Sequence, residues 1–102
     1  MNNSYIYHIC TEGSWEEQSN SKEYIHDSLK GEGFIHFSEE HQIEGVLERY
    51  FTDQTDLLIL TIEPSKIDEK VQYDKAPNDE DYPHIYGPIN KAAIIKIEQL
   101  KN

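Results

Sequence analysis

An almost continuous apolar run at residues 57–63 constrains the fold of this chain more than any other segment. The run is much shorter than the roughly 18 apolar residues that a membrane-spanning helix needs. Pro64 follows it directly, and proline cannot donate a hydrogen bond to a neighbouring strand. We therefore expect a central strand that ends at Pro64, within the sheet of a soluble protein.

Four other segments have the character of strands. Residues 5–10 alternate and are rich in aromatic and β-branched side chains, which is typical of a strand. Residues 34–38 predict a second strand after a turn at Gly31-Glu32-Gly33. Two more strands are expected towards the C-terminal end, a short one at residues 71–73 and a longer one at residues 92–98.

The strongest helix signal lies shortly before the central strand. Ser38 is suited to cap the N-terminus of this helix, and the acidic Glu39 and Glu40 favour the positive end of the helix dipole. The apolar residues that recur at helical spacing, and that we expect to face the core, are Ile43, Val46, Leu47 and Tyr50.

Two weaker helical segments are expected nearer the N-terminus. Ser14 and Glu17 fit a capping box around Trp15, which we expect to anchor this segment to the core. A second short turn is expected at residues 24–29. Helices and strands mix without regular alternation, so the sequence predicts a single α+β domain over residues 1–102, with a mixed or mostly antiparallel sheet and one main helix.

The charge balance excludes several classes of partner. The chain has 102 residues with 20 acidic and 9 basic side chains, which gives a net charge of -11. This charge repels the phosphates of a nucleic acid, and Arg49 is the only arginine. A phosphate clamp of several arginines is therefore excluded. An anionic ligand must be held by backbone N–H groups, a helix N-terminus, Arg49 or a few lysines.

The cysteine content and the first residues bear on location. Cys10 is the only cysteine, so an internal disulfide is excluded and a reducing compartment fits best. Residues 1–5 lack the basic and apolar regions of a secretory signal. We therefore expect a cytoplasmic protein that does not engage a membrane, and we expect it to be a monomer.

Three histidines are the candidate functional residues. His8 and His36 lie in the first two predicted strands and could face one cleft if these strands are neighbours. His84 lies in the segment 82–88 (YPHIYGP), where prolines fix φ and a glycine permits positive φ. This segment is expected to be a shaped loop. Imidazole can orient a ribose hydroxyl or move a proton near neutral pH.

The same histidines are also compatible with simpler roles. Each could be a core residue that holds a backbone carbonyl. Three histidines could bind zinc, but no compact ligand pair such as His-x-x-x-His is present, and no metal is expected. Cys10 shares a strand face with His8, yet buried packing is the simpler role for it. The acidic segment 74–81 lacks the ligand spacing of a calcium loop and is expected to be an exposed loop.

Two sequence blocks carry a resemblance to a known family. The blocks are residues 33–38 (GFIHFS), with Gln42 shortly after, and residues 83–88 (PHIYGP). Together with the opening segment 6–9 and Trp15, they resemble domain-of-unknown-function family 952, a family of small bacterial proteins. The resemblance extends over nearly the whole chain. That family looks like a compact relative of the ADP-ribosyltransferase fold, which implies a split, curved sheet with a cleft for NAD.

The resemblance also implies roles for single residues. His8 matches the first-strand histidine that holds the nicotinamide ribose in proteins of the ADP-ribosyltransferase fold. His36 looks like the second-strand residue that borders the nicotinamide. The last block offers His84 and Tyr86 in place of the acid that often activates the nucleophile, and Asp74 is the nearest acid.

Taken together, these features lead us to expect a small-molecule nucleotide of the NAD type in a histidine-lined cleft. His8, His36 and His84 are the expected catalytic residues of an ADP-ribosyl-transfer reaction. The alternative is a non-enzymatic ligand-binding, regulatory or protein-interaction module. The residues expected to contact the cofactor are His8, His36, Ser38, Tyr86 and Arg49.

Overall fold

The computed structural model describes residues 5–18 and 20–100, apart from the side chains of residues 27 and 28. The α-helices of this part of the chain are α1 (Glu12–Glu16), α2 (Asp27–Glu32) and α3 (Ile43–Tyr50). Its strands are β1 (Ile6–Thr11), β2 (Glu23–Tyr24), β3 (Ile35–His36), β4 (Leu57–Ile62), β5 (Val71–Lys75), β6 (Asp81–Ile85), β7 (Ile89–Asn90) and β8 (Ile94–Leu100). Short 3-10 turns cover Glu40–Gln42, Pro64–Lys66 and Lys91–Ala93. None of the helices in these ranges is long and apolar enough to cross a membrane.

The strand β4 lies at the centre of a three-stranded antiparallel sheet, between β1 and β8. All six of its residues are buried, which confirms the central strand expected from the apolar run. The strand ends at Ile62, and Pro64 begins a 3-10 turn. The strand does not continue through this proline, because proline has no N–H for the neighbouring strand.

A second three-stranded antiparallel sheet, ordered β3-β6-β5, carries two of the candidate histidines. The first and second sheets meet where the backbones of Tyr7 and Ser38 exchange hydrogen bonds with N···O distances of 2.8 and 2.7 Å. Strands β2 and β7 form a small two-stranded sheet. The described strand pairs are all antiparallel, and α3 is the longest described helix. The expected single α+β domain with mostly antiparallel sheets and one main helix is therefore confirmed.

Two apolar clusters hold these sheets in place. The smaller cluster is formed by Ile9, Leu57 and Ile59, and α3 packs against it through Ile43, Val46 and Leu47. Full burial of a side chain such as Leu57 contributes about 1.5–3 kcal/mol to folding, and the partly buried side chains of α3 contribute less. The larger cluster draws residues from all three sheets, and Trp15 packs against it as expected. Its buried members are Ile6, Cys10, Tyr24, Ile35, Phe37, Leu58, Leu60, Ile62, Ile85, Ile89 and Ala93.

The starts of the helices differ from the sequence expectations. Thr11, and not Ser14, caps α1, since its hydroxyl accepts a hydrogen bond from the Ser14 backbone N–H at 3.1 Å. Ser38 does not cap the main helical segment, because it is drawn into the bridge with Tyr7. Glu39 takes the capping position instead and forms a reciprocal capping box with Gln42.

The buried stripe of α3 is shorter than expected. Tyr50 was expected to face the core, but it is 66% exposed and lies in the last turn of the helix. The short turn expected at residues 24–29 was also wrong in part. Tyr24 belongs to β2, and the helix α2 begins at Asp27.

The expectation of a shaped loop at residues 82–88 was wrong for its first half, which belongs to β6. Pro83 lacks an N–H, but its carbonyl accepts a hydrogen bond from the Phe37 N–H at 3.0 Å. The strand can therefore pass through the proline, and His84 becomes a strand residue with a fixed direction. The polar loop before it is correspondingly short, because Asp74 and Lys75 belong to β5.

Candidate functional site

The candidate site lies on the outer face of the β3-β6-β5 sheet, where His36 and His84 stand directly opposite each other. Directly opposed residues of an antiparallel pair have Cβ atoms about 5 Å apart. The two imidazole rings accordingly lie with their centroids 5.2 Å apart and nearly perpendicular, at 82°. We call this face the imidazole face and define it by Phe34, His36, Asp74, His84 and Tyr86.

Asp74 on β5 holds the ring of His84. The Nδ1 atom of His84 lies 2.7 Å from a carboxylate oxygen of Asp74. The same carboxylate accepts hydrogen bonds from the Tyr86 hydroxyl at 2.5 Å and from the Gln72 amide at 2.9 Å. These bonds, that of Tyr86 first, then Gln72 and His84, lower the pKa of Asp74 from its ordinary 3.8 to about 2. The carboxylate is therefore ionised at neutral pH, and Nδ1 of His84 carries the proton that it donates.

The other ring nitrogen of His84 is open. Within the described residues, the Nε2 atom makes no hydrogen bond. Every side-chain nitrogen or oxygen there that is shielded from solvent does have a hydrogen-bond partner, so an atom without one is not shielded. Nε2 is therefore reached by solvent, although His84 as a whole is only 9% exposed. A neutral imidazole with its proton on Nδ1 has a free lone pair on Nε2, which is the arrangement of a proton acceptor.

Phe34 fixes the plane of the His84 ring. The two rings stack with centroids 4.1 Å apart and an interplanar angle of 18°. Phe34 follows Gly33, which has a φ of +88° that favours glycine, so the turn out of α2 sets the direction of the aromatic ring. The ring centroid of Tyr86 lies 5.2 Å from that of Phe34, and Tyr86 is itself 46% exposed. The imidazole face thus offers aromatic surface beside the open Nε2.

A second carboxylate–imidazole pair lies next to the first. The Nε2 atom of His36 is 2.8 Å from a carboxylate oxygen of Glu32, and both side chains are about half exposed. The hydrogen bond to His36 lowers the pKa of Glu32. The imidazole face therefore holds two neighbouring histidines, each tied through one nitrogen to a carboxylate, and this pairing fixes the orientation of both rings.

His8 lies elsewhere, inside the larger apolar cluster, and is 2% exposed. Its Nδ1 donates to the backbone carbonyl of His36 at 2.7 Å, and its Nε2 accepts from the Tyr24 hydroxyl at 3.1 Å. Burial lowers the pKa of His8 from 6.5 to about 3. The structure therefore brings His36 and His84 together on one face. It places the His8 ring in the core, where the ring is neutral and both of its nitrogens form hydrogen bonds.

The remaining expected contact residues are also dispersed. Ser38 is 5% exposed and is held by the bridge to Tyr7. Arg49 donates to the hydroxyl of Tyr82 at 2.7 Å, at the end of α3. Tyr86 alone of these three belongs to the imidazole face.

Sequence reasoning missed three contributors to this face. Asp74 was noted as the nearest acid, but it was assigned to a loop and given no partner. Gln72 and Asp74 alternate along β5, and this period of two was the signal that could have placed both on one face. Phe34 lies in the second predicted strand, and nothing in its local pattern predicts that its ring stacks on His84. Among the described residues, no three histidine, cysteine or acidic side chains are grouped so that they could hold a metal ion.

Comparisons with known proteins agree with the fold and confirm the family that the two sequence blocks resemble. The crystal structure of protein CC0527 from Caulobacter crescentus is similar, with a TM-score of 0.86 at 21% identity, covering 95% of this chain and 86% of that chain. The solution NMR structure of CC0527 gives a TM-score of 0.81 at the same identity, covering 95% and 84%. A crystal structure of a double mutant of CC0527 gives the same TM-score of 0.86 at 21% identity. At this identity the likeness shows the fold alone.

The family comparison is more direct. No curated protein matches the chain. The model of the family described as "Protein of unknown function (DUF952)" matches residues 9–97, which includes every residue of the imidazole face. The chain therefore belongs to the DUF952 family.

Proposed function

We propose that the imidazole face binds a small molecule with a planar, positively charged ring, and that His84 accepts a proton there through Nε2. The observation that carries this proposal is the Asp74–His84 pair, with Nδ1 held by an ionised carboxylate and Nε2 open to solvent. An imidazole held in this way is set up for general base catalysis or for directional binding of a hydroxyl or amide hydrogen.

Charge and aromatic surface support a cationic ring as the ligand. The carboxylates of Asp74 and Glu32 lie beside the histidines, and the whole chain carries a net charge of -11. Phe34 and Tyr86 present aromatic rings, and cations are attracted to the faces of such rings. The nicotinamide ring of NAD is planar and positively charged, so NAD is the ligand that we propose to test first.

The proposal places NAD at the imidazole face and not around His8. The Nε2–Tyr24 bond of His8 would have to open before a ribose could reach that ring. An ADP-ribosyltransferase-like fold and ADP-ribosyl transfer remain predictions that rest on the family resemblance. The pair His36 and His84 supports an acid–base role, because one imidazole can accept a proton while its neighbour donates one.

An NMR titration of labelled protein tests the binding proposal. NAD should give saturable shifts at Phe34, His36, His84 and Tyr86, whereas ADP-ribose, which lacks the nicotinamide ring, should give weaker ones. Replacing Phe34→Ala or His84→Gln should raise the Kd for NAD about tenfold, a loss of about 1.4 kcal/mol. His41→Gln is the matched control, because His41 is an exposed histidine whose ion-pair contact is to Glu39.

Two results would contradict the proposal. One is the absence of shifts with NAD at millimolar concentration. The other is equal binding of NAD and ADP-ribose with shifts clustered at Arg49, which would indicate recognition of phosphate instead of the ring.

The same samples separate an enzyme from a binding module. Release of nicotinamide from NAD, or covalent transfer of ADP-ribose to an acceptor, should be lost in His84→Gln and kept in His41→Gln. Saturable binding without either product would favour the non-enzymatic, regulatory alternative.

A further inference from the structure

The strand β8 is an unpaired edge of the first sheet. It pairs with β4 on one side, and no described strand pairs with its other side. It is seven residues long and exposes two large apolar side chains, Ile95 at 43% and Ile97 at 47%. A long free edge is a template for another strand, and monomeric proteins commonly shorten such an edge or place lysines and bulges on it. The strand β8 carries Lys96 and an irregularity beside Ile94, so a pairing register must match the charge of Lys96 and lie beyond the irregularity.

We infer that β8 pairs in an antiparallel manner with β8 of a second copy of this chain, about a two-fold axis at Ile97. Antiparallel pairing of identical strands about one residue makes the contact self-complementary. In this register Lys96 of each copy lies opposite Glu98 of the partner subunit, so the pair occurs twice. Ile97 faces Ile97 of the partner subunit.

The charges of the strand select this register over its neighbours. An axis at Lys96 would place two lysines opposite each other, and an axis at Glu98 would place two glutamates opposite each other. Like charges directly opposite each other are destabilising, whereas opposite charges and apolar pairs contribute favourably. An axis between Lys96 and Ile97 would set each charged residue against an isoleucine. Of these registers, only the axis at Ile97 matches each charge with its opposite.

The existing sheet is compatible with such an extension. Ile97 lies opposite Leu60 on β4, so Ile97 shares a face with a buried leucine of the larger cluster. Ile97 of the partner subunit would continue that apolar face. The register irregularity of β8 lies between Ile94 and Lys96, so the residues about the axis belong to the regular part of the strand.

The charged side chains are free to turn to a partner. Lys96 and Glu98 lie 3.7 Å apart within one chain and are 64% and 51% exposed. An exposed pair of this kind contributes little to the stability of one chain. The pairing would join two three-stranded sheets into one of six strands and so differs from the monomer expected from the sequence. It does not depend on the proposed function, because the imidazole face lies on the other sheet.

Sedimentation velocity of the whole chain, from micromolar to millimolar concentration, tests this inference. The wild-type protein should show a monomer–dimer equilibrium. Lys96→Glu alone and Glu98→Lys alone should each weaken the dimer about tenfold, because two attractive pairs become repulsive. The double variant Lys96→Glu/Glu98→Lys should restore the dimer, since it restores both pairs with reversed sign.

Ile97→Lys should abolish the dimer, because it places two like charges at the axis. Tyr50→Lys is its matched control, since Tyr50 is also exposed but lies on α3, and this variant should dimerise normally. Circular dichroism confirms that each variant folds. A wild-type monomer at millimolar concentration would overturn the inference. So would a dimer that the single charge reversals leave unchanged, or a β8 edge that pairs only with a different protein.

Discussion

His8 and His84 are both strand histidines with one nitrogen held by an oxygen, and yet they occupy opposite environments. His8 gives its Nδ1 hydrogen to a backbone carbonyl and closes its Nε2 with the Tyr24 hydroxyl, inside the larger cluster. His84 gives its Nδ1 hydrogen to a carboxylate and leaves Nε2 to solvent. The environment of the second ring nitrogen therefore distinguishes the two histidines. A closed imidazole stabilises the fold, and an open one is available for chemistry.

The largest expected contrast is in stability. His8→Ala removes one hydrogen-bond partner of the Tyr24 hydroxyl and one of the His36 carbonyl in the core, and it opens a cavity. We expect a loss of about 3 kcal/mol in the free energy of unfolding. His84→Ala should cost about 1 kcal/mol, because its polar partners still reach water. Urea unfolding of both variants measures this. Equal losses would show that the two histidines stabilise the fold to the same extent, against the expectation.

The next contrast is in the pH dependence of stability. The pKa of His8 is lowered from 6.5 to about 3 in the folded protein, so between these values the unfolded chain binds the extra proton. Stability is therefore complete above pH 6.5 and decreases as the pH falls, with a limiting slope of about 1.4 kcal/mol per pH unit.

Urea unfolding between pH 7 and pH 4.5 measures this slope, because the carboxyl contribution of Asp74 is lost only at lower pH, below its ordinary 3.8. His84→Gln should retain the slope if His8 causes it. If the free energy of unfolding of the wild-type protein did not change over this pH range, His8 would bind its proton as readily in the folded protein as in the unfolded chain.

Matched substitutions of two tyrosines compare the hydrogen bond to His8 with the hydrogen bond to Asp74. Tyr24→Phe removes the hydrogen bond to the closed Nε2 and should cost about 1.5 kcal/mol, since that nitrogen is buried. Tyr86→Phe removes a hydrogen bond to Asp74 at an exposed position and should cost clearly less than Tyr24→Phe. Thermal unfolding of the pair gives both values. A larger loss for Tyr86→Phe would mean that the imidazole face is part of the stabilising core.

The smallest expected effect is electronic. The hydrogen bond to Asp74 raises the pKa of Tyr86 above its ordinary 10.0. Asp74→Asn removes the negative charge, so the pKa of Tyr86 should fall back towards 10.0. A pH titration followed by tyrosine absorbance or NMR measures this. The pKa of Tyr73, raised mainly by burial and then by Glu39, should not change. An unchanged Tyr86 would show that it does not bind Asp74 in solution.

Local patterns predicted much of the fold. The apolar run, the proline after it and the alternation of the first strand predicted β4 and β1, because these features act over a few residues. The ends of helices were less predictable. Ser38 and Ser14 have side chains that are suitable for capping. Ser38 instead pairs with Tyr7, which is distant in the sequence, and α1 begins before Ser14, so that Thr11 is its cap.

The candidate site was predicted in part. The three histidines were identified by their residue type and setting, and the structure places two of them side by side. Asp74 was misplaced because prolines and acids around it favoured a loop. The strand forms there because the carbonyl of Pro83 and the backbone of β5 still pair with their neighbours.

Composition and short-range periodicity are sufficient to predict the α+β class, the central strand and the candidate histidines. Which of these histidines has both ring nitrogens in hydrogen bonds, and which leaves one open, depends on how the sheets pack. The reason is that an imidazole at a given position in a strand points to one of two faces, and the packing of the sheets determines which face is buried. His8 points into the larger cluster, where its ring contacts Tyr24 and Phe37, whereas the ring of His84 lies beside Asp74 and leaves Nε2 without a hydrogen bond among the described residues.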